Sequence, residues 1–347
     1  MARKAKKTVS DKFEEITASI VASLEKGVAP WVCPWDRNVP GGMMPHNGLT
    51  GRHYNGINIF LCWATGYLDP RWYTFDQAMV ANGFKAKWET KKRYGKVRKV
   101  KTWEWAGEGE EPCSPWECGV RKGEKSPTFI VHWHRVTKRE ENEDGEEEER
   151  SWMTLKTWRV FNHAQIDWAP GMEPGRDETV TTDAEANEAA QKLFEALDAK
   201  LSHGGNRAAY SPQLDIIQMP EVKAFPELGD YWSTRAHETV HWTGHGTRCA
   251  RKLDAGRFGS EAYAFEELVA EMGAAFLAAE LGLTGKLQHA EYIGHWIKVL
   301  KSDNKALFKA ASLAREAVEF IRAKAGLPAR TYEDNKDNED TTTAKAA

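Results

Sequence analysis

The sequence predicts an α+β protein of two domains, an N-terminal α/β domain followed by a mainly helical C-terminal domain with a small sheet. A chain of 347 residues is too long for one compact core. The stretch DWAPGMEPGRDETVTTD, residues 167–183, is rich in Pro, Gly and acidic residues and shows no apolar period. Strand-like segments precede it and helical segments follow it. We therefore place the domains at 1–166 and 184–328, joined by a linker.

The N-terminal domain is predicted to begin with a helix, because apolar residues recur at helical spacing over 11–26 and Gly27 follows as a stop. The segments SPTFIVHWHRV and SWMTLKTWRVFN alternate apolar and polar residues, which predicts two strands of a hairpin. The acidic run between them predicts a long solvated loop at 140–149.

The C-terminal domain is predicted to be a succession of helices. A helix near 184–200 precedes the short strand QLDIIQMP, and a helix containing HETVH follows it. Three further helical stretches are predicted near 260–281, 286–301 and 303–325. The last residues, 329–347, have almost no apolar side chains and are predicted to be disordered.

Charge is divided unevenly along the chain, although the formal net charge is only −3. Residues 1–139 contain 24 Lys/Arg and 14 Asp/Glu, a net of +10, so the remaining 24 Lys/Arg and 37 Asp/Glu give −13. Such asymmetry indicates that the N-terminal domain meets a polyanion. Chance scatter of charge is the alternative.

The expected compartment is the cytosol. No apolar run approaches the length of a membrane span, and the basic start MARKAKK does not lead into an apolar signal core. The five cysteines are odd in number and scattered, which argues against a disulfide framework. Cys113 and Cys118, with His132 and His134, are an alternative zinc site whose spacing matches no familiar pattern.

The nonamer HETVHWTGH, residues 237–245, carries a glutamate between two histidines that are four residues apart. On a helix, His237 and His241 project from one face and can bind one Zn²⁺ through their imidazoles. Glu238 lies one residue round, where it can take a proton from water activated by the metal. This is the HExxH arrangement of metallopeptidases. A surface helix with exposed histidines is the alternative, and a third ligand would exclude it.

Two residues compete as the third ligand. His245 continues the four-residue series, but a glycine before it is expected to end the helix, which leaves His245 as a residue beside the ligands. On the later helix, Glu267 and Glu271 share a face, and two carboxylates at a helix contact are costly unless a cation receives them. We assign Glu267 as third ligand and Glu271 as the acceptor that orients a ligating histidine. Glu266 replaces Glu267 if the helix is rotated by one position, and an exposed acidic face is the alternative.

The same later helix is predicted to begin at the N-cap Ser260. One stripe of the helix is predicted to be buried, and it consists of Leu268, Val269, Met272 and Phe276. Alanines at 274, 275 and 278 would let a neighbouring helix approach closely.

These motifs carry a resemblance to known families. HExxH followed by ExxxE on a later helix resembles the glutamate-zincin metallopeptidases, in which a tyrosine or histidine often steadies the oxyanion. Tyr263, four residues before Glu267, is the candidate for that role. HGGNRAAYSPQLDIIQMP, HETVHWTGH, RFGSEAYAFEELVAEMGAAFLAAELG and YIGHWIKVLKSDNKALFKAASLAREA resemble the zincin half of the ArdC-like plasmid antirestriction family, also seen in conjugative TraC-type primases. ITASIVASLEKGVAPWVCPW, TGRHYNGINIFLCW, RWYTFDQA, VRKGEK and RVFNHAQ resemble its DNA-binding half.

The resemblance covers nearly the whole chain in order, except for an insertion at about 85–117 and the acidic run at 140–149. It implies that the first half binds single-stranded DNA. Tryptophans beside Lys/Arg suit that role, because bases stack on aromatic faces while cations track phosphates. GVRKGEK is interpreted as a cationic turn that brings backbone amides near an anion, with a solvated hairpin as the alternative. The candidate DNA contacts are Arg52, Tyr54, Arg71, Trp72, Arg121, Lys122 and Lys125.

The expected function is therefore that of an antirestriction-type protein of a mobile element, which binds single-stranded DNA and carries a zinc-dependent peptidase site. The resemblance implies protection of incoming DNA from host restriction, with a host restriction protein as the suggested peptidase target. Zn²⁺ is the expected metal, with another divalent transition metal as the alternative. A non-catalytic DNA-binding protein with a structural or vestigial metal site stays open. A primase fragment would need clustered metal-binding aspartates, which the sequence lacks.

Overall fold

The computed structural model describes residues 9–27, 42–93, 96–141, 147–175, 179–251, 260–284 and 293–333. It confirms the predicted α+β class with two domains, because the chain divides into two compact units. The helical unit comprises the chain up to Met44, Asn55–Leu68 and Asp177–Thr331. The sheet unit comprises Pro45–Tyr54, Asp69–Arg176 and the chain from Tyr332 onward.

Helices account for most of the helical unit. The described residues form eight α-helices, α1 (Val9–Glu25), α2 (Ile57–Trp63), α3 (Phe75–Ala81), α4 (Asp183–Glu195), α5 (Leu228–Thr243), α6 (Glu261–Leu281), α7 (Ile293–Ser302) and α8 (Ala306–Lys324). The helices predicted near 11–26, 184–200, 260–281 and 303–325 correspond to α1, α4, α6 and α8. Of the helix predicted near 286–301, the part before Ile293 lies outside the described residues. None of the described helices has the length and apolar character that a membrane span requires.

Strands of the helical unit have three or four residues, and those of the sheet unit range from two to sixteen residues. The described strands are β1 (His46–Asn47), β2 (Arg71–Thr74), β3 (Phe84–Arg93), β4 (Lys96–Trp105), β5 (Gly119–Val120), β6 (Thr128–Glu141), β7 (Glu147–Asn162), β8 (Ile166–Asp167), β9 (Lys200–His203), β10 (Ala209–Ser211) and β11 (Ile216–Met219). The strand predicted from QLDIIQMP corresponds to β11.

The sheet unit is built on a four-stranded sheet of order β1-β2-β7-β6. Strand β1 runs parallel to β2, and the remaining pairs are antiparallel. Two further ribbons, β3–β4 and β5–β8, are separate from it. The predicted hairpin is confirmed as β6–β7, but its strands are longer than predicted, since Glu140 pairs with Glu148 and Glu141 with Glu147. The ladder thus continues in register into the acidic run, and residues 142–146 lie outside the described part.

The helical unit is organised around α6. Its residues from Glu266 to Ala279 are all buried, which is wider than the predicted stripe, because α4, α5, α7 and α8 all pack against this helix. The N-terminal helices belong to this unit as well. Phe60 of α2 stacks on Phe276 of α6 with ring centroids 4.8 Å apart, and α1 packs against α7.

The helical unit is therefore not a consecutive segment of the chain. A boundary near 167–183 separates α3 and the long strands from α4, but α1 and α2 lie before it and still fold with the later helices. Helix α2 consists entirely of buried residues, so its apolar side chains need the core that α6 and α8 supply.

The beginning of the predicted disordered tail is ordered. Tyr332 forms a β-bridge with His53, and the backbone amide of Glu333 donates to the carbonyl of His53. The Glu333 side chain is 3% exposed and accepts hydrogen bonds from Asn47 and Thr50. A buried, hydrogen-bonded carboxylate ties this segment to the sheet unit, and residues 334–347 lie outside the described part.

Candidate metal centre

Helix α5 carries the HExxH residues in its last turns. Its C-cap is Gly244, where the sequence predicted the helix to end. His237 and Glu238 are 2% and 8% exposed, and His241 is largely buried. The alternative of exposed histidines on a surface helix is therefore wrong, because α6 covers this face of α5.

Helix α6 supplies the carboxylates. Its N-cap is Ser260 as predicted, with the side-chain hydroxyl accepting from the backbone amide of Tyr263. Glu267 is 7% exposed one turn later. The two helices approach closely at Gly273, where a side chain would meet Val240 of α5. Close contact of two helices thus brings a carboxylate of the later segment to the imidazoles of the earlier one.

The ligand atoms of His237, His241 and Glu267 converge. The two Nε2 atoms are 3.1 Å apart, and the Glu267 carboxylate oxygens lie 3.4 Å from Nε2 of His237 and 3.5 Å from Nε2 of His241. Tetrahedral zinc with bonds of about 2.0–2.1 Å holds its ligand atoms roughly 3.3 Å from one another. The donor set and its spacing therefore fit a single divalent ion. Among the described residues, this is the one group of three or more such side chains with that spacing.

The electrostatics of the cluster favour a cation. Burial lowers the pKa of His241, but hydrogen bonds to Glu266 and Glu267 outweigh burial and raise it to about 10. Burial raises the pKa of Glu267, yet its contacts with both histidines hold that pKa well below its usual range. The carboxylate stays charged inside the protein, so the cluster presents negative charge to whatever positive species occupies it.

A second carboxylate holds His241 from its other ring nitrogen. Nδ1 of His241 lies 3.4 Å from Glu266, whose carboxylate also receives a bidentate ion pair from Arg251 at 2.8 and 3.1 Å. The Arg251 guanidinium in addition donates to the carbonyl of Val240 and the hydroxyl of Thr243 at the end of α5. Hydrogen bonds from His241 and Arg251 outweigh burial and lower the pKa of Glu266.

We call Glu266 and Arg251 together the brace of His241. Sequence reasoning missed this role and considered Glu266 only as a replacement ligand. A carboxylate that fixes the free nitrogen of a ligating histidine sets the tautomer and orientation of its ring. The available signal was the adjacent pair of glutamates at 266 and 267, since neighbouring positions on a helix point about 100° apart and cannot both reach the same ion. Arg251 carries no signal in the sequence.

The remaining predicted residues of this site have different surroundings. Glu238 directly follows His237 in α5 and is 8% exposed. His245 lies beyond the end of α5, and its Nδ1 is 2.9 Å from the hydroxyl oxygen of Thr247. None of the described hydrogen bonds joins His245 to His237, His241 or Glu267, so its predicted place beside these ligands has no support. Tyr263 is half-buried one turn before Glu267, and Glu271 is 2% exposed one turn after it.

The alternative zinc site is wrong. Cys113 and Cys118 form a disulfide with each other, a single pair and not the disulfide framework that the sequence argues against. Both pack beside Met79 and Phe84 in a small apolar core of the sheet unit. Their thiols are thus not available as metal ligands alongside histidines in the described part of the chain.

The predicted DNA contacts divide into buried and exposed residues. Tyr54 and Trp72 are each 1% exposed, and Arg71 is 8% exposed with its guanidinium bound to Asp69 and the carbonyl of Pro174. These three are core residues of the sheet unit and present no face to a ligand, so this part of the prediction is wrong.

The cationic turn is at the surface as predicted. Arg121, Lys122 and Lys125 are exposed around Gly123, whose φ of 93° requires glycine. The Arg121 guanidinium contacts Asp167 at 3.1 Å, which offsets part of its charge. Arg52 is half-buried.

A buried HExxH helix whose histidines meet a glutamate from a later helix is the arrangement of a zincin-like metal site. Residues 188–313 match the family model of a zincin-like metallopeptidase, MPTase-PolyVal, and residues 10–161 match that of the N-terminal domain of anti-restriction factor ArdC. The chain belongs to the ArdC-like family of antirestriction proteins.

Individual relatives agree with this assignment. Two Escherichia coli proteins described as DNA primase TraC are 34% identical over 312 and 327 residues, covering 89% and 90% of this chain. The matches span only 27% and 20% of those primases. The uncharacterized protein y4eC of Sinorhizobium fredii is 31% identical over 91% of this chain and 93% of its own length.

Solved structures of a relative show the same architecture. The antirestriction ArdC protein from plasmid R388 is 30% identical, and its metal-free crystal structure gives a TM-score of 0.65 over 92% of this chain and 100% of that chain. Its Mn(II)-bound crystal structure gives a TM-score of 0.62 over 90% of this chain and 97% of that chain.

Proposed function

We propose that the helical unit is a metal-dependent peptidase in which His237, His241 and Glu267 hold Zn²⁺ or another divalent transition metal ion. The convergence of these three ligand atoms, 3.1 to 3.5 Å apart inside the protein, is the observation that carries the proposal. One crystal structure of ArdC from plasmid R388 is metal-free and another is Mn(II)-bound, which supports binding of a divalent ion by this chain as well.

The protein side chains then divide the chemistry. A divalent ion in this site supplies a Lewis acid that lowers the pKa of water toward neutrality. The Glu238 carboxylate would accept a proton from that water and return it to the leaving amine. Glu238 suits this role because it directly follows the ligand His237 in α5 and is 8% exposed. Glu266 and Arg251 hold the His241 ring in place. Tyr263 donates a hydrogen bond to the developing oxyanion, and Glu271 helps to orient a ligating histidine.

We further propose that the protein binds single-stranded DNA in the cytoplasm and protects DNA entering on a mobile element from host restriction. Residues 1–139 carry a net charge of +10, and the turn of Arg121, Lys122 and Lys125 is exposed. The match to the N-terminal domain of an anti-restriction factor supports this role. A host restriction protein is the proposed peptidase substrate.

Three proteins separate catalysis from a structural metal site: wild type, His241→Ala and Glu238→Gln. We expect His241→Ala to lose the metal, measured as bound zinc per chain, and Glu238→Gln to keep it. Both variants should lose protection of conjugatively transferred DNA in a restricting host. Full protection by metal-loaded Glu238→Gln would instead show a non-catalytic protein with a structural ion.

DNA binding needs its own assay, because it is proposed independently of the metal. Titration of the protein with a single-stranded oligonucleotide should quench tryptophan fluorescence, and the affinity should fall steeply with added salt. Absence of binding, or an affinity that salt leaves unchanged, would overturn this half of the proposal.

A further inference from the structure

The hairpin β3–β4 carries most of the positive charge of the N-terminal part. Residues 84–105 contain nine Lys/Arg and two Glu, a net of +7 out of the +10 of residues 1–139. Each strand has ten residues, so the ribbon is roughly 34 Å long. The strands pair with each other and with no other described strand. The hairpin lies within the segment that departs from the family resemblance.

The strand register sorts these charges onto two faces. Residues directly opposite each other in an antiparallel pair share a face, and alternate residues of one strand share it too. Both glutamates fall on one face, since Glu104 pairs with Lys85 and Glu89 lies four residues further along the same strand. The other face has no acidic residue, and we call it the carboxylate-free face. Its members are Phe84, Ala86, Trp88, Thr90, Lys92, Val97, Lys99, Lys101, Trp103 and Trp105.

Three of the six cations on the glutamate-bearing face share its two carboxylates. Lys85 and Lys87 reach Glu104 at 3.2 and 3.0 Å, and Lys91 reaches Glu89 at 3.1 Å. These pairs are exposed and contribute little to stability, but they reduce the charge that this face presents to a ligand.

Cations on the carboxylate-free face differ in this respect. Lys101 is bound to Asp76 of α3 at 2.6 Å. Lys92 and Lys99, further out, are exposed, and neither has an acidic partner among the described ion pairs. At Lys92 and Lys99 the positive charge of this face is therefore available to a polyanion.

The root of the carboxylate-free face is anchored to the sheet unit. Phe84 and Trp105 meet edge to face with ring centroids 5.8 Å apart. The ring centroids of Trp103 and of Phe75 in α3 are 6.4 Å apart. Lys101 lies 4.8 Å from the centre of the Trp103 ring. These contacts hold the face in a defined orientation at the point where it leaves the protein body.

Large apolar side chains are exposed on the same face. Trp88 is 51% exposed and pairs with Lys101, while Val97 is 66% exposed and pairs with Lys92. An exposed indole that shares a face with Lys92 and Lys99, neither of which has an acidic partner among the described ion pairs, is the combination with which proteins bind single strands. A base stacks on the ring and phosphates meet the cations. A solvated charged surface would not need the indole.

We propose that the carboxylate-free face of β3–β4 binds single-stranded nucleic acid, with Trp88 stacking on a base and Lys92 and Lys99 contacting phosphates. The inference rests on the proposed DNA-binding function and assigns a surface to it. The charge and the indole together favour a nucleic acid over an acidic protein or a lipid surface.

The first test compares two variants with equal loss of charge. Lys92→Ser/Lys99→Ser removes the two cations of the proposed face that have no acidic partner among the described ion pairs, and Lys85→Ser/Lys87→Ser removes two from the opposite face. Affinity of the full chain for a labelled 30-nucleotide single strand is measured by fluorescence anisotropy between 0.05 and 0.3 M salt, conditions chosen to define the salt slope. Loss of two phosphate contacts should weaken binding about 25-fold at 0.1 M salt and lower the slope by about 1.4, whereas the control should change it much less.

The second test concerns stacking. Trp88→Ala should weaken single-strand binding by roughly 5- to 150-fold, and Trp88→Phe should retain most of the affinity because it keeps an aromatic face. Bound zinc per chain should be unchanged in all variants, which excludes general misfolding. A duplex of the same sequence should bind without the Trp88 effect.

The outcomes distinguish the two proposals. If wild type binds single strands and both double variants lose affinity equally, general charge is responsible and the face assignment is overturned. If the duplex depends on Trp88 as strongly as the single strand, stacking on an unpaired base is overturned. If wild type binds neither the oligonucleotide nor the duplex, the DNA-binding function itself fails and this inference fails with it.

Discussion

The tight contact of α5 and α6 at Gly273 leads to a prediction. A Cβ placed on Gly273 would lie 2.7 and 3.0 Å from the two methyl carbons of Val240. Val240 is fully buried and β-branched, so in a helix it has one preferred rotamer and no room to turn away. Gly273→Ala should therefore force the helices apart beside His241, which directly follows Val240 in α5.

The expected size of the effect combines two opposing terms. Overpacking of a core costs about 1–3 kcal/mol, and alanine gains about 1 kcal/mol over glycine in a helix interior. The free energy of unfolding should thus fall by about 0–2 kcal/mol. Metal binding should be more sensitive, because ligand distances tolerate deviations of only about 0.2 Å. A separation of a few tenths of an ångström moves Glu267 off the ion, so we expect the metal affinity to fall about tenfold.

Metal affinity is measured by competition with a chromogenic chelator, and unfolding by urea titration of the metal-free protein. Val240→Ala provides the room that the new methyl needs, so Val240→Ala/Gly273→Ala should recover affinity relative to Gly273→Ala alone. Val240→Ala by itself leaves a cavity and serves as the matched single variant. Wild-type affinity in Gly273→Ala, or no recovery in the double variant, would refute this account of how Glu267 reaches the histidines.

Further predictions concern the brace, the ion and a buried ion pair. Arg251→Lys and Glu266→Gln should each weaken metal binding about 10- to 100-fold in the chelator assay, because the His241 ring loses its fixed partner. Zinc at a hundredfold excess over its Kd should stabilise the wild type by about 2.7 kcal/mol in thermal unfolding, and His241→Ala should show no such gain. Burial raises the pKa of Asp69, but hydrogen bonds and the charge of Arg71 outweigh burial and lower it. A lowered folded-state pKa gives stability that is present above the unfolded value of about 3.9 and lost below it, so Asp69→Asn should reduce the Tm at pH 7 and progressively less as the pH falls below 4.

Each of these predictions has a control or a contradicting result. Arg322 is also paired with an acid, Glu280, which lies about three and a half turns after Glu267 in α6, so Arg322→Lys should leave metal affinity unchanged. Equal losses in Arg322→Lys and Arg251→Lys would indicate general destabilisation. Zinc stabilisation that persists in His241→Ala would place the ion elsewhere. A Tm difference for Asp69→Asn that is the same at pH 3 and pH 7 would show that its charge is not what matters.

The convergence of the three ligand atoms was predictable because it depends on local geometry and one energetic rule. Histidines at a four-residue spacing share a helix face whatever the tertiary structure. Buried carboxylates need a cation, so a later helix with Glu267 among apolar residues had to face a positive partner. The structure places both helices as that rule requires.

The brace could not be predicted in the same way. Arg251 reaches Glu266 only because the chain after α5 turns back, with the backbone amide of Cys249 bonded to the carbonyl of Thr243 and Arg248 bonded to that of Trp242. Such a path depends on tertiary contacts and leaves no periodic trace in the sequence. The burial of α2 is a similar case, since its core comes from helices more than two hundred residues later.

The predicted DNA contacts at Tyr54, Arg71 and Trp72 failed for an identifiable reason. An aromatic residue beside a cation in the sequence does not show which of them faces solvent. Strand β2 lies between β1 and β7, and all four of its residues are buried, so its cation had to pair internally with Asp69.

The hairpin β3–β4 shows which additional information decides exposure. Lys85 and Lys99 are the same residue type in the same basic segment. The register places Lys85 opposite Glu104, whereas it places Lys99 on the carboxylate-free face with Trp88. Successive side chains of a strand point to opposite faces of the sheet. The pairing register therefore assigns each charge to a face before any side-chain contact is considered. A basic, tryptophan-containing segment is therefore informative about ligand binding only once its register is known. For this chain the register moves the expected nucleic-acid surface away from Arg71 and Trp72 and towards Trp88, Lys92 and Lys99.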